Sequence, residues 1–195
     1  ENVPVSALRV FYDTFYWPNN ATVTVIGDSD TKKTLLLIKK HFARVPRSSR
    51  PIPALYTKEP EQEGARHIEI CRPKQTTNIA SLAYKIPEGR HPDTPALYIL
   101  SRVLMSGKTS RLYKALIEKG LASGVEIFDH PFHDPGLYVI HATLTRKITH
   151  IKALALIRHE LKRVASRGIT GAELKRAKRH ALVELAYMRD GIYKE

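Results

Sequence analysis

Gly107-Lys108-Thr109 has the residue order that closes a phosphate-binding Walker A loop. In that loop another glycine lies five positions before the second one, because the backbone must wrap closely around the phosphates. Here Arg102 occupies that position, and the residues before Gly107 have helical rather than strand periodicity. The sequence therefore predicts that Gly107 ends one helix and that Thr109 or Ser110 begins another, without a nucleotide site.

The histidines do not form a zinc-binding motif. Residues 159–160 begin the pattern His-Glu-x-x-His, but Arg163 stands where the second histidine would be. The reversed pattern His-x-x-Glu-His does not occur in the sequence. The stretch 130–135, His-Pro-Phe-His-Asp-Pro, has plausible ligand spacing, but its prolines predict an exposed loop in which histidines are ordinary. We predict no metal ligands in this chain.

The sequence also lacks the usual signs of nucleophilic catalysis. It contains no Gly-x-Ser-x-Gly elbow, and its one cysteine, Cys71, ends an alternating run that predicts a buried structural thiol. The closely spaced carboxylates Glu59, Glu61 and Glu63 lie in a proline-rich stretch rather than on a predicted helix or strand. We predict no catalytic residues in this chain.

Apolar periodicity and turn residues predict an α+β fold, with a mostly antiparallel sheet and helices packed on one face. Helices are predicted at 4–16, 31–43, 93–105, 109–118, 149–166 and 171–190. Strands are predicted at 21–27, 65–71, 77–86, 122–129 and 136–146. The β-branched segment 21–27 is expected to be buried, and a turn at Pro73-Lys74 is expected to follow the second strand. Thr170 and Glu173 have the spacing of a capping box for the last helix.

The chain is strongly basic, with 32 Lys and Arg against 19 Asp and Glu and a formal charge of +13 at pH 7. These cations are spread over helical patterns and are not interleaved with the aromatic or glycine residues of RNA-binding sheets. We therefore favour solvated helix faces and no nucleic-acid partner, although a basic nucleic-acid module stays open as an alternative. No apolar run approaches the about 20 residues that span a bilayer.

Several stretches, in the same order along the chain, resemble one protein family. The stretch 8–30 contains a helix, a Tyr-x-Pro-x-Asn turn and a strand that ends in Gly-Asp. Further similar stretches lie at 41–48, 59–70, 100–125, 134–145 and 168–185. Together they resemble the pitrilysin/insulinase-type zinc metallopeptidases, the inverzincins, which include mitochondrial processing peptidase and small bacterial relatives.

The resemblance implies half of a clamshell built from two homologous α+β domains that close around a peptide substrate. In such proteins the N-terminal domain holds zinc through His-x-x-Glu-His and a downstream glutamate, so the resemblance implies no cofactor in this chain and zinc in a preceding domain. It further implies that 1–45 is the tail of that zinc domain, that 46–64, with four prolines, is a linker, and that 65–195 is a truncated, non-catalytic second domain. We expect a segment of a longer protein of the bacterial periplasm or cytoplasm, inactive alone.

One departure from the family affects the expected site. Many relatives carry an Arg and a Tyr in the second domain that orient the substrate carbonyl, and Ile117 and Ser123 stand at the equivalent positions here. Together with Ser110 and Arg111, these residues are the candidates for a wall of the substrate chamber. One hypothesis is that a partner subunit supplies the Arg/Tyr pair to a zinc-bearing parent. The alternatives are a structural or chaperoning subunit without peptidase activity, or a pure protein-interaction module.

Overall fold

The computed structural model of the chain describes residues 3–54, 60–72 and 77–189. Contacts between Cα atoms divide the chain into two compact units, one that ends at Glu69 and one that begins at Ile70. The linker predicted from the sequence, 46–64, ends somewhat before this division, and the domain assignment stays a prediction. The turn predicted at 73–74 lies outside the described residues.

The first unit contains two helices, α1 at Val5–Phe15 and α2 at Thr31–Phe42. A short 3-10 turn, Pro18–Asn20, follows α1 where the sequence predicts the helix to stop. Asp30 caps α2, because its Oδ1 accepts a hydrogen bond from the Lys33 N–H at 3.0 Å. Both predicted helices of this unit are therefore confirmed within a residue or two at each end.

Two predicted strands are wrong. Residues 21–27 and 65–71 form no strand and pair with no other segment in the described part of the chain. They are also exposed rather than buried, with Val25 at 52% and Ile68 at 80% of full exposure. Their β-branched composition favours an extended backbone, but a strand also needs a neighbour that pairs its N–H and C=O groups. Cys71, predicted to be buried, is likewise exposed.

The second unit is built on three antiparallel strands, β1 at Asn78–Ile86, β2 at Ala122–Phe128 and β3 at Gly136–Leu144. Their order in the sheet is β1-β3-β2, so β3 is central and both other strands are edges. The register of β2 shifts between Ala122 and Gly124, which places a bulge at Ser123. All three strands lie where the sequence predicts them.

Helices cover one face of this sheet. They are α3 at Thr94–Met105, α4 at His150–Arg167 and α5 at Gly171–Arg189, with a π-helical turn at Tyr113–Ile117. α4 packs on β1 and β3, and α3 packs between β2 and α5. The predicted helix 109–118 is present over 111–117, but 113–117 is π-helical, since the Glu118 N–H donates to the Tyr113 carbonyl, five residues earlier, at 2.9 Å. The α+β fold with helices on one face is as predicted.

The core lies between the sheet and these helices. Alternate residues of β3 are buried, and the residues between them are partly exposed, which is the pattern of a sheet covered on one side. The largest fully buried side chains are Leu104, Leu112, Leu116, Ile140 and Ile157. None of the helices within the described ranges is both long and apolar enough to cross a membrane.

Candidate functional site on the uncovered face of the sheet

The face of the sheet opposite the helices carries the residues that alternate with the core positions. These residues are Ile79, Ser81, Ala83, Lys85, Gly124, Glu126, Phe128, Leu137, Val139, His141 and Thr143. Three of its large apolar side chains, Ile79, Phe128 and Leu137, are 41–52% exposed. We call this surface the uncovered face.

Three polar residues form a row across the uncovered face, one on each strand. His141 on the central strand β3 is the register partner of Ser81 on β1 and of Glu126 on β2. Ser81 Oγ and His141 Nδ1 are 2.6 Å apart and share a hydrogen bond. The Phe128 ring contacts the imidazole edge to face, with centroids 5.2 Å apart and planes at 71°. These contacts hold the imidazole between Ser81 and Phe128.

A serine, a histidine and a glutamate are the residue types of a hydrolytic triad, but the geometry differs from one. A triad needs the carboxylate bonded to the imidazole, and no hydrogen bond or ion pair joins Glu126 to His141. Ser81 also lies within β1, whereas serine nucleophiles of the elbow type lie on a sharp turn after a strand. The row therefore lacks the geometry of a hydrolytic triad.

Sequence reasoning missed this row. Ser81, Glu126 and His141 each occupy a polar position in an alternating strand, which was the available signal. Their alignment depends on the register of three strands, and Ser81 and His141 are 60 positions apart in the sequence. The sequence pattern does not contain that register.

The structure places two of the predicted wall residues, Ser110 and Arg111, beside the start of α5. The Ser110 side chain is buried, and its Oγ donates to the Gly107 carbonyl at 2.7 Å. Arg111 forms two hydrogen bonds to the Glu173 carboxylate, at 2.7 and 2.9 Å, and a third to the Gly168 carbonyl at 3.1 Å. The Ser110 hydroxyl therefore stabilises the turn after α3, and the Arg111 side chain links that turn to the start of α5.

The other two predicted wall residues lie elsewhere. Ile117 ends the π-helical turn and is partly buried against the core. Ser123 is exposed at the bulge of β2, and its hydroxyl donates a hydrogen bond to the Thr143 carbonyl at 3.4 Å. The four candidates therefore do not share one cluster of contacts, and their role in a substrate wall stays a prediction.

A carboxylate and a phenol on the helix-covered side of the sheet have strongly shifted pKa values. The Arg111 guanidinium, with help from the Thr170 N–H, holds the pKa of Glu173 at about 2. Burial raises the pKa of the Tyr138 phenol to about 12, and its hydroxyl lies 2.9 Å from Ser101 Oγ. Both groups link elements of the fold and face away from the uncovered face.

The described residues do not fit a zinc ion. Across 3–54, 60–72 and 77–189, no three His, Cys, Asp or Glu side chains converge in a way that could hold a metal. In the loop 130–135, His133 Nδ1 lies 3.2 Å from Asp134 Oδ1, but both side chains are almost fully exposed. The row on the uncovered face offers His141 and Glu126, which are too few ligands for a structural or catalytic zinc.

Comparison with known proteins gives a consistent result. The sequence profile described as the peptidase M16 inactive domain matches residues 2–180. The zinc protease PqqE of Helicobacter pylori is 37% identical over 120 residues, which are 61% of this chain and 27% of that protein. The crystal structure of a protease from Helicobacter pylori has a TM-score of 0.90 at 29% identity, over 99% of this chain and 47% of that one.

A further solved structure shares the fold at lower identity. The peptidase M16 inactive domain from Pseudomonas fluorescens has a TM-score of 0.72 at 22% identity, over 92% of this chain and 43% of that one. The chain spans less than half the length of each of these three relatives.

Proposed function

We propose, because this chain belongs to the peptidase M16 family and matches its inactive domain, that its second unit is a non-catalytic wall that encloses a peptide substrate. The observation that supports this role is the uncovered face. Its apolar side chains remain about half exposed on a sheet whose other side is fully packed with helices. Such a surface is typical of a binding site, because isolated antiparallel sheets usually carry polar residues on the solvated side.

We propose further that the complete protein is a zinc metalloendopeptidase whose zinc lies in a preceding domain. This proposal is supported by the name of the related zinc protease, and by the absence of three convergent metal-ligand side chains among the described residues. Zinc in such a domain would activate water for attack on a peptide bond. This chain supplies no catalytic group and acts by enclosing the substrate.

A second candidate function is a structural or chaperoning subunit without peptidase activity. It is favoured by Ile117 and Ser123, because neither side chain can supply the charge or phenol that would polarise a peptide carbonyl. In the peptidase proposal, a partner subunit provides the missing Arg/Tyr pair. The two functions differ in whether hydrolysis appears when such a partner is added.

The domain organisation follows as a proposal. Residues 1–45 would be the tail of the zinc domain, 46–64 the linker, and 65–195 most of the second domain. The exposed Val23 and Val25 support this assignment, because an unpaired β-branched segment is complementary to the open edge of another sheet. The zinc domain would supply that edge.

The test uses the complete gene product, prepared with zinc and with any cognate partner subunit. We expect His-x-x-Glu-His in the residues before Glu1, one bound zinc per chain, and hydrolysis of unstructured peptides. The substitution Ile79→Glu introduces a charge on the uncovered face. It should raise the KM for the peptide about tenfold, which corresponds to about 1.4 kcal/mol of lost binding free energy.

The matched control is Ile151→Glu, since Ile151 is 80% exposed on α4, the helix that packs on the other face. It should leave KM unchanged. A protein with no His-x-x-Glu-His and no hydrolysis, but with peptide binding that Ile79→Glu weakens, would support the chaperoning subunit instead. Equal effects of the two substitutions would contradict a substrate wall on this face.

A further inference from the structure

We propose that the Glu126 carboxylate and the Phe128 ring, which packs against His141, form a subsite for an arginine side chain of the enclosed peptide. This inference rests on the proposed function, because it requires a peptide to lie on the uncovered face. It extends the proposed function by naming the chemical class of the peptide side chain that binds this face.

The first step of the argument is the carboxylate of Glu126. Its side chain is exposed and makes no hydrogen bond or ion pair with any other residue in the described ranges. Its nearest cross-strand neighbour on this face, His141, is already bonded to Ser81 on the far side of the row. The carboxylate is therefore available to a ligand that approaches from solvent.

The second step is the aromatic ring beside it. Phe128 lies two residues after Glu126 on the same strand, so both side chains project from the same face. The ring is held by its edge-to-face contact with His141, and the residue remains 41% exposed. A planar cation bound to Glu126 can thus lie against an oriented aromatic ring.

The third step is the choice of ligand. A guanidinium binds a carboxylate through two parallel hydrogen bonds and also stacks on aromatic rings, whereas a lysine ammonium is a point charge without that plane. An acidic or phosphorylated side chain would be repelled by Glu126. Charge and shape together therefore favour arginine.

The overall charge of +13 acts against a cationic ligand but does not decide the outcome. At physiological ionic strength, exposed charges are screened over about 8 Å, so distant lysines and arginines contribute little. A guanidinium in contact with Glu126 would be well inside that distance. The local carboxylate therefore dominates the interaction.

The experiment compares sets of three unstructured fluorogenic peptides that are identical except for Arg, Lys or Met at one scanned position. The complete gene product should prefer Arg over Met by about tenfold in kcat/KM at one position, the usual effect of one charge-assisted contact. Glu126→Gln should bring that ratio to about one while leaving the Met peptide within twofold. Phe128→Leu should lower the Arg-to-Met ratio of kcat/KM two- to fivefold.

Glu118→Gln is the matched control, because Glu118 is an exposed glutamate next to the π-helical turn, on the helical side of the sheet. It should retain the full preference for Arg. An Arg-to-Met ratio unchanged by Glu126→Gln would overturn the subsite and leave the proposed function standing. If the unaltered protein neither cleaves nor binds any of the peptides, with binding followed by fluorescence anisotropy, the proposed function itself fails. Equal preference for Lys and Arg would overturn the selection of arginine.

Discussion

Arg111 and Glu173 connect the turn after α3 with the start of α5 through a two-hydrogen-bond ion pair. Glu173 also accepts from the Thr170 N–H at 2.8 Å, while the Thr170 hydroxyl accepts from the Glu173 N–H at 3.2 Å. These reciprocal bonds are the predicted capping box, which the structure confirms. One carboxylate thus caps a helix and anchors an arginine, and both contacts favour its charged form.

Replacing this carboxylate should reduce stability in a pH-dependent way. Glu173→Gln should lower the free energy of unfolding of the 195-residue chain by about 2 kcal/mol at pH 7, because the charge-assisted bonds to Arg111 are lost. The folded pKa of about 2 lies below the ordinary value of 4.5. The stabilisation is therefore fully present above about pH 4.5 and is lost as the pH falls through about 2.

Urea denaturation of both proteins at a series of pH values measures this difference. Glu118→Gln provides a control with an exposed carboxylate and should change little at any pH. A difference between Glu173→Gln and the unaltered chain that stays constant between pH 7 and pH 2.5 would contradict the assignment of the stabilisation to the ionised carboxylate.

At the scale of elements, the stretch that resembles a Walker loop is a junction between α3 and the π-helical turn. Gly107 follows the C-cap residue Ser106 and has a positive φ of 78°, the left-handed conformation that commonly ends a helix. The Ser110 hydroxyl then bonds back to the Gly107 carbonyl. The glycine is needed here for its backbone conformation.

Gly107→Ala should therefore destabilise the chain by about 1–2 kcal/mol, since an L-residue in left-handed conformation loses roughly that amount. Gly171→Ala is the matched comparison, because Gly171 begins α5 and a Cβ added there would meet nothing within 4 Å. Alanine at 171 should be neutral or slightly stabilising. Thermal unfolding of the two variants checks this, and equal melting temperatures would contradict the conformational argument.

At the scale of the whole molecule, the first unit exposes apolar residues on both helices and on the segment between them. Leu8, Phe11, Val25, Ile26 and Leu36 are each 52–67% exposed. Isolated proteins seldom present so many large apolar side chains in one unit of this size. This exposure supports the proposal that a further domain covers the unit in the complete protein.

Hydrogen exchange tests that proposal directly. The amides of Val23 and Val25 should exchange at near-unprotected rates in the 195-residue chain and at least about a hundredfold more slowly in the complete protein, where we propose that they pair with a sheet. The amide of Ile140, in the central strand β3, should be protected in both. Equal rates for Val23 and Val25 in the two proteins would contradict strand pairing.

The sequence by itself determined helices α1 to α5, the three strands of the second unit and the capping box at Thr170. These features depend on residues within one or two turns of each other, so periodicity and cap residues suffice to predict them. The sequence predicted a helix at 109–118 but not its π-helical geometry, because hydrogen bonds that span five residues instead of four produce no distinct sequence pattern.

Only the tertiary structure decided which of the predicted strands form. Residues 21–27 and 65–71 alternate much as β1 does, yet β1 pairs with β3 and they pair with no described segment. Strand pairing joins residues distant in sequence, so local composition does not predict it. The candidate site was missed for the same reason, because Ser81, His141 and Glu126 lie in one row only through the register of three strands.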